Sequence, residues 1–342
     1  MNKFTRQAFE TLCAALCAGY NVSSVTKQFA VEPSIEQRLQ DKIVEQSTFL
    51  PLINVLGVAE LQGQNILGSA TGPVSGRTDT SVDGHERKPR NVLGLEPYKY
   101  LLHKINSDVF MAYATMDAWA KWPDFQERYT RYVQNRIACD REIIGWYGKL
   151  AAADTDIETY PLLQDVAPGW LQYVRDNRPE NIVSQGGVAD ALRIGPDGDY
   201  ENLDLSVNDL LQGIPKWKRH DLVVLVGDEL ITHERTMLLK AVKNIPTEKN
   251  AMNAAMTTIG GLPWLTPSNY PGRGLVITSL KNLSIYYQDG SWRRQVKDKP
   301  EKDRVEDYNS RNEGYVVEDV EAFVGVEFEN VKLPTATGDD WS

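Results

Sequence analysis

The stretch that most restricts the fold of this chain has almost nothing to bury. It is GQNILGSATGPVSGRTDTSVDGHERKPR, from Gly63 to Arg90, rich in Gly, Ser, Thr and Asp. A loop of this length with no structure of its own is out of place inside a compact domain. Strand-like alternation flanks it, at 53–61 before and 98–113 after, so it reads as a long hairpin projecting from the body. An isolated two-stranded hairpin is marginal in water. The chain is therefore expected to need a further surface for this arm to lie on.

A second feature points the same way. In WPDFQERYTRYVQNRIACDREIIGWYG, which begins at Trp122, the residues Phe125, Tyr129, Tyr132, Arg136, Ile143 and Tyr147 recur with helical period. Pro123 suits the first helical turn. Roughly 25 residues at 1.5 Å each give a rod of about 38 Å, about twice the average helix.

The rest of the chain reads as ordinary elements. Phe4, Ala8, Leu12 and Ala15 fall at helical spacing, and Gly19 is placed to end that helix. The run Leu12–Gly19 has the outline of a signal peptide, but it is short, mostly alanine and preceded by Glu10. No stretch approaches the ~20 apolar residues that span a bilayer. Residues 20–31 are polar and irregular. Ser34 with Gln37 forms a capping-box pattern after Pro33, and Ile35, Leu39 and Ile43 predict a helix over 34–47. Further on, helices are expected at 168–177, 200–212, 228–242 and 248–258. Strands are expected at 222–227, 275–278, 283–288, 292–296 and, long or bent, 314–333. Asp289-Gly290 between two alternating runs predicts a tight hairpin.

Chemistry is scarce. There is no Walker loop, no GxGxxG after a strand and no GxSxG elbow. His233-Glu234 opens a zincin-like pattern, but Met237 stands where the second histidine belongs. Cys13, Cys17 and Cys139 are an odd, sparse set that fits a reducing compartment and apolar filling. No catalytic, metal or cofactor residue is expected. A net charge of −10 on 342 residues argues against a general DNA-binding protein, which would carry a basic face. A hydrolase with two distant carboxylates and a nucleic-acid-associated protein are the alternatives carried forward.

One segment is unusual for an acidic chain. SIYYQDGSWRRQVKDKPEKDRVEDY, from Ser284 to Tyr308, sets aromatics beside an arginine pair and a run of mixed charge. Between Lys281 and Glu321 there are eight Lys or Arg and ten Asp or Glu, whereas a nucleic-acid groove would be net positive. Tyr, Trp and Arg are also enriched at protein interfaces. The aromatics are therefore expected to pack the chain's own sheet. Arg293 or Arg294 then faces outward, and the charge run is free to pair with neighbouring copies. Candidate contacts between copies are Arg77, Asp79, Arg87 and Lys88 on the projecting stretch, and Arg293, Arg294, Lys297, Arg304 and Asp307 here.

Several motifs together carry a resemblance: QFAVEPS (28–34), LQDVAPGWLQ (163–172), DLVVLVG (221–227), TSLKNLSIYYQDGSWRRQVKDKPEKDRVEDYNS (278–310) and GYVVEDVE (314–321). On these, and over nearly its full length, the chain resembles the major capsid proteins of Peduovirus-type tailed bacteriophages. The resemblance implies the α+β Hong Kong 97-type capsid fold, with an N-terminal arm, an extended hairpin called the E-loop, a peripheral domain with a long spine helix, and an axial domain. It implies an N-terminal segment 1–29 removed on maturation, an arm at 30–52, and the hairpin with its flanking strands at 53–113. The peripheral domain would be 114–165, completed by 314–333, the axial domain mainly 166–313, and the tail 334–342.

As function, the resemblance implies self-assembly into hexamers and pentamers, forming an icosahedral head that encloses double-stranded DNA without reading its sequence. Implied partners are an internal scaffolding protein, a maturation protease and the portal, with no membrane and no cofactor. The protein would assemble in the host bacterial cytoplasm and reside in the virion. Matching QFAVEPS to the family pattern puts the proteolytic cut near Phe29 and Ala30. The removed segment holds Lys3, Arg6 and Lys27 against Glu10, so its loss would take the chain from −10 to −12. Some proteins of this fold are welded by a hairpin lysine. No lysine lies between Lys42 and Lys88 here, so a non-crosslinked shell is expected.

Overall fold

The first apolar spacing forms α1 (Lys3–Tyr20) in the computed structural model, which describes residues 3–70, 75, 77–78, 81, 93–119, 122, 124–241, 257–335 and 340–342. The helix runs past Gly19. Asn21 takes the left-handed conformation instead, at φ 54°, and the Val22 N–H donates to the Cys17 carbonyl at 3.0 Å, closing the last turn. After β1 (Phe29–Ala30), α2 (Pro33–Val44) starts one residue earlier than expected. Glu32 is its extended cap residue and Pro33 its first residue, so Ser34 already lies inside the helix and the capping box does not form.

β2 (Asn54–Val58) leads into β3 (Gln62–Ala70) and β4 (Leu93–Leu101). These last two keep an unbroken antiparallel register from Gln62↔Leu101 to Ala70↔Leu93. Among the described residues they pair only with each other. The run expected as one strand to 113 is broken into β4, β5 (His103–Asn106) and β6 (Val109–Ala112). After α3 (Tyr113–Trp119) comes the long helix α4 (Phe125–Tyr147), 23 residues. Pro123 lies outside the described residues.

The second half supplies α5 (Trp170–Asn177), β7 (Ile182–Val183), β8 (Leu192–Arg193), α6 (Leu203–Leu210), β9 (Leu222–Val226) and α7 (Asp228–Ala241). Asn202 caps α6 by accepting the Leu205 N–H at 2.9 Å. Then follow β10 (Trp264–Leu265), β11 (Leu275–Ser279), β12 (Leu283–Gln288), β13 (Arg293–Lys299), β14 (Arg304–Val317), β15 (Phe323–Val326) and β16 (Val331–Lys332). The helix expected at 248–258 lies almost entirely outside the described residues.

The larger sheet has the order β1-β13-β14-β12-β2, with β5 and β6 also on β14; the smaller has the order β10-β9-β11-β15-β7. The tight hairpin expected at Asp289-Gly290 does not form. β12 pairs with the C-terminal stretch of β14, from Leu283↔Val317 to Tyr287↔Glu313, and β13 with its N-terminal stretch, from Arg293↔Ser310 to Lys299↔Arg304. The turn is real, with Gly290 at φ 72° and the Ser291 N–H on the Gln288 carbonyl. It is a jog between two strands that share β14. A strand of 14 residues spans about 46 Å, long enough to hold both.

The main core gathers Phe49, Trp146, Trp170, Tyr270 and Tyr315, with ring centroids 4.8 to 5.8 Å apart between Trp146 and Phe49, Trp170 or Tyr270. Trp170 donates its indole N–H to the Ser284 carbonyl at 2.9 Å. It reaches this position because α4 carries a glycine there: a Cβ on Gly145 would sit 2.3 Å from the Trp170 ring. A second apolar cluster, with Val207, Val224, Ile277 and Val331, packs around the smaller sheet.

Candidate functional site

β13 sorts the arginine pair by strand parity. Neighbouring residues on a strand face opposite ways. Arg293 and Lys297 are exposed, while Arg294 and Val296 are buried. β14 does the same, turning Val305, Asp307, Asn309, Arg311 and Glu313 inward and exposing Tyr308. Above the inward face lies α4. The Tyr129 hydroxyl donates to Asp307 Oδ2 at 3.0 Å and Arg141 Nε donates to Glu313 Oε1 at 3.0 Å. Twelve helical residues and six strand residues both span about 18–20 Å, so the helix keeps step with the strand along this row.

Two buried ionic groups result. Arg294, 6% exposed, grips Asp307, 2% exposed, in a two-pronged contact: Nε to Oδ1 at 3.0 Å and Nη2 to Oδ2 at 2.6 Å. Its third arm, Nη1, donates to the Tyr20 hydroxyl at 2.6 Å. Asn309 Nδ2 also donates to Asp307, at 3.1 Å. Burial works against the Arg294 charge, but Asp307 outweighs it and holds the pKa above the ordinary arginine value. Further along, Glu313 receives Arg141 and Arg311 Nε, the latter at 2.5 Å, while Arg141 Nη2 also donates to Gln40 Oε1. Burial alone would raise the Glu313 carboxyl. The two guanidiniums reverse that and bring it down to about 2.

This corrects the expectation for the charge run. Arg294 and Asp307 were expected as contacts between copies, yet they are consumed within one chain, because a buried charge must be paired where it is buried. Arg304, half-buried, donates from Nε and Nη2 to Glu306 Oε1 at 2.9 and 2.7 Å and lies 4.5 Å over the exposed Phe110 ring. Arg293, Lys297 and Arg77 are the predicted contact residues that stand exposed. Asp79, Arg87 and Lys88 lie outside the described residues.

Phe29 and Ala30, the predicted processing residues, form β1 on the edge of the larger sheet, opposite Arg294 and Arg293. Just upstream, Val25 and Thr26 are held by β13 through Val296 N–H to the Val25 carbonyl at 2.8 Å and Gln295 Nε2 to the Thr26 carbonyl at 2.7 Å. α1 buries Phe9, Leu12 and Leu16, which with Met111, Met116, Tyr129, Val296, Val305 and Asp307 line a cavity of only about 10 Å³. The segment ahead of β1 is thus an integral part of the packed chain.

Sequence reasoning missed the surface aromatics Phe110, Trp122 and Trp217 and set Tyr132 in one helical stripe with the buried Phe125 and Tyr129, whereas all four are strongly exposed. A tryptophan set between lysines, as in Lys216-Trp217-Lys218, was the available signal. Among the described residues, no cluster of three His, Cys, Asp or Glu could hold a metal, and no helix is long and apolar enough to cross a membrane.

Comparison with known proteins places this architecture. The family model described as "Phage major capsid protein, P2 family" matches residues 8–329. The "Capsid proteins" of Escherichia phage P2 are 36% identical, over 92% of this chain and 90% of theirs. The "Major capsid protein" of Serratia phage KSP20 is 33% identical, over 93% of this chain and 94% of its own. A chain of the structure titled "Satellite phage P4 procapsid including size determination (Sid) protein" superposes with a TM-score of 0.77 and 35% identity, covering 97% of this chain and 99% of that one.

Proposed function

The chain belongs to the P2 family of phage major capsid proteins, and on that premise we propose how it builds the head. It is a capsid component of the Hong Kong 97-type fold, a structural protein of the virion. In the proposed reading, copies associate as hexamers and pentamers in the host cytoplasm, around an internal scaffolding protein and a portal. They close an icosahedral shell that encloses double-stranded DNA without sequence-specific contacts. Residues 53–113 act as the extended hairpin, 114–165 with 314–333 as the peripheral domain, and 166–313 mainly as the axial domain.

The observation that carries this reading is the hairpin β3–β4. It has nine paired positions and no third strand among the described residues, and such a ribbon gains stability only from another surface. A neighbouring copy supplies it. Arg293, Lys297 and Arg77, exposed and without an ion pair among the described residues, are the proposed steering charges at that contact, with Asp79, Arg87 and Lys88. Exposed charges add little energy each but set partner and register. The test is sedimentation of the chain co-produced with a scaffolding protein. Fast-sedimenting particles are expected, and a chain that stays monomeric contradicts the reading.

Processing between Phe29 and Ala30 by a maturation protease is proposed on the QFAVEPS match. Mass spectrometry of mature particles is expected to find a chain beginning at Ala30, and an intact Met1–Phe29 segment there contradicts it.

A further inference from the structure

Trp217 is the most exposed large hydrophobic side chain among the described residues, at 75%. It sits in a single helical turn, Lys216–Lys218, between α6 and β9. That turn is braced from behind. Lys218 Nζ reaches Asp319 Oδ2 at 2.6 Å and Glu321 Oε2 at 2.8 Å, and Arg219 Nε donates to the Ile214 carbonyl at 2.8 Å. A large aromatic on a fixed backbone loses little freedom on binding and offers wide apolar area, the profile of an interface anchor.

We infer that this turn docks on a second copy of the chain, at the acidic rim that lies at the other end of α6. The inference rests on the shell reading above. The two patches sit at opposite ends of the smaller sheet. α6 begins beside α7, where the Leu203 N–H donates to Glu234 Oε2 at 3.3 Å, and α7 follows the end of β9. α6 finishes beside the turn that leads into the start of β9. The rim has apolar footing in the exposed Val188 and Leu205. Its charge is opposite to that of the turn: residues 185–204 hold five acids against Arg193, while 216–220 hold Lys216, Lys218 and Arg219 and no acid. Asp190, Asp197 and Glu201 form no ion pair among the described residues. Two different patches that fit one another make a head-to-tail contact, which closes into a ring when the rotation per copy allows.

The same turn is a poor nucleic-acid platform. Lys218 is engaged by two carboxylates and Arg219 by a carbonyl, which leaves Lys216 as its lysine without an ion pair among the described residues, and phosphate binding needs several.

The test uses the full chain under conditions where the wild type forms particles; a wild type that never assembles defeats the shell reading rather than this contact. Trp217→Ala and Lys216→Glu are each expected to lower particle yield about tenfold or more, with the melting temperature of the unassembled chain unchanged. Combining Lys216→Glu with Glu201→Lys is expected to restore yield. Wild-type yield from Trp217→Ala, a lowered melting temperature that accounts for its loss, or failure of the charge swap to restore assembly overturns the proposal. Particles at normal yield that hold less DNA overturn it and assign the turn to nucleic acid.

Discussion

Arg294 and Asp307 show what one position of strand parity decides. Exposed, either would be worth at most about 1 kcal/mol as an ion pair. Buried and bonded on every arm, each becomes intolerable without the other. Arg294→Met is expected to lose about 3–5 kcal/mol of stability by chemical denaturation, since it strands Asp307, whereas the double change with Asp307→Leu recovers most of it. Arg293→Glu, one residue away and exposed, is expected to leave the melt unchanged and lower assembly. Glu313 gives a pH signature. Its folded carboxyl lies at about 2, below the ordinary 4.5, so its stabilisation is complete above about pH 4.5 and fades as pH falls toward 2. Acid titration of wild type against Glu313→Gln is expected to show a larger loss of stability over this window in the wild type, the variant keeping only the loss from other carboxylates held low, such as Glu306. The parity was readable, because Arg294 shares its register with Trp292 and Val296. It was missed because arginine and aspartate are assigned to the surface by default.

Among the elements, α4 was legible, and the projecting hairpin only in outline. The strand expected at 53–61 joins the larger sheet as β2 beside β12, and β3 runs almost wholly inside the stretch read as loop. Nor was the placement of β12 and β13 along β14 legible. Helical period over more than six turns leaves no alternative for α4, and a strand pair without apolar filling between its ends can only project. Asp289-Gly290 is a strong local signal for a turn, but local chemistry says nothing about which strand stands alongside. β14 takes both neighbours because it is long and its partners are distant in sequence. Where α4 meets α5, the fit depends on Gly145, and Gly145→Ala is expected to cost about 1–3 kcal/mol in the thermal or chemical melt by pushing Trp170 off its seat. The hairpin makes the complementary prediction. Residues 62–70 and 93–101 are expected to exchange amide hydrogens rapidly in the unassembled chain and slowly in particles. Equal rates in both states would mean that no neighbour covers it.

The chain is acidic and carries two packed cores, with a ribbon that has no third strand among the described residues, exposed cations on β13 and a braced tryptophan. The mixed charge between Lys281 and Glu321 divides in two. Its inward half is paired within the subunit, much of the rest is paired there too, as Arg304 and Lys299 are with Glu306, and Arg293 and Lys297 stand exposed. An electron cryomicroscopy map of assembled particles tests this most directly. A closed shell of hexamers and pentamers is expected, with density for β3–β4 lying across an adjacent copy. A shell in which the hairpin folds back onto its own subunit, or no closed particle at all, contradicts it.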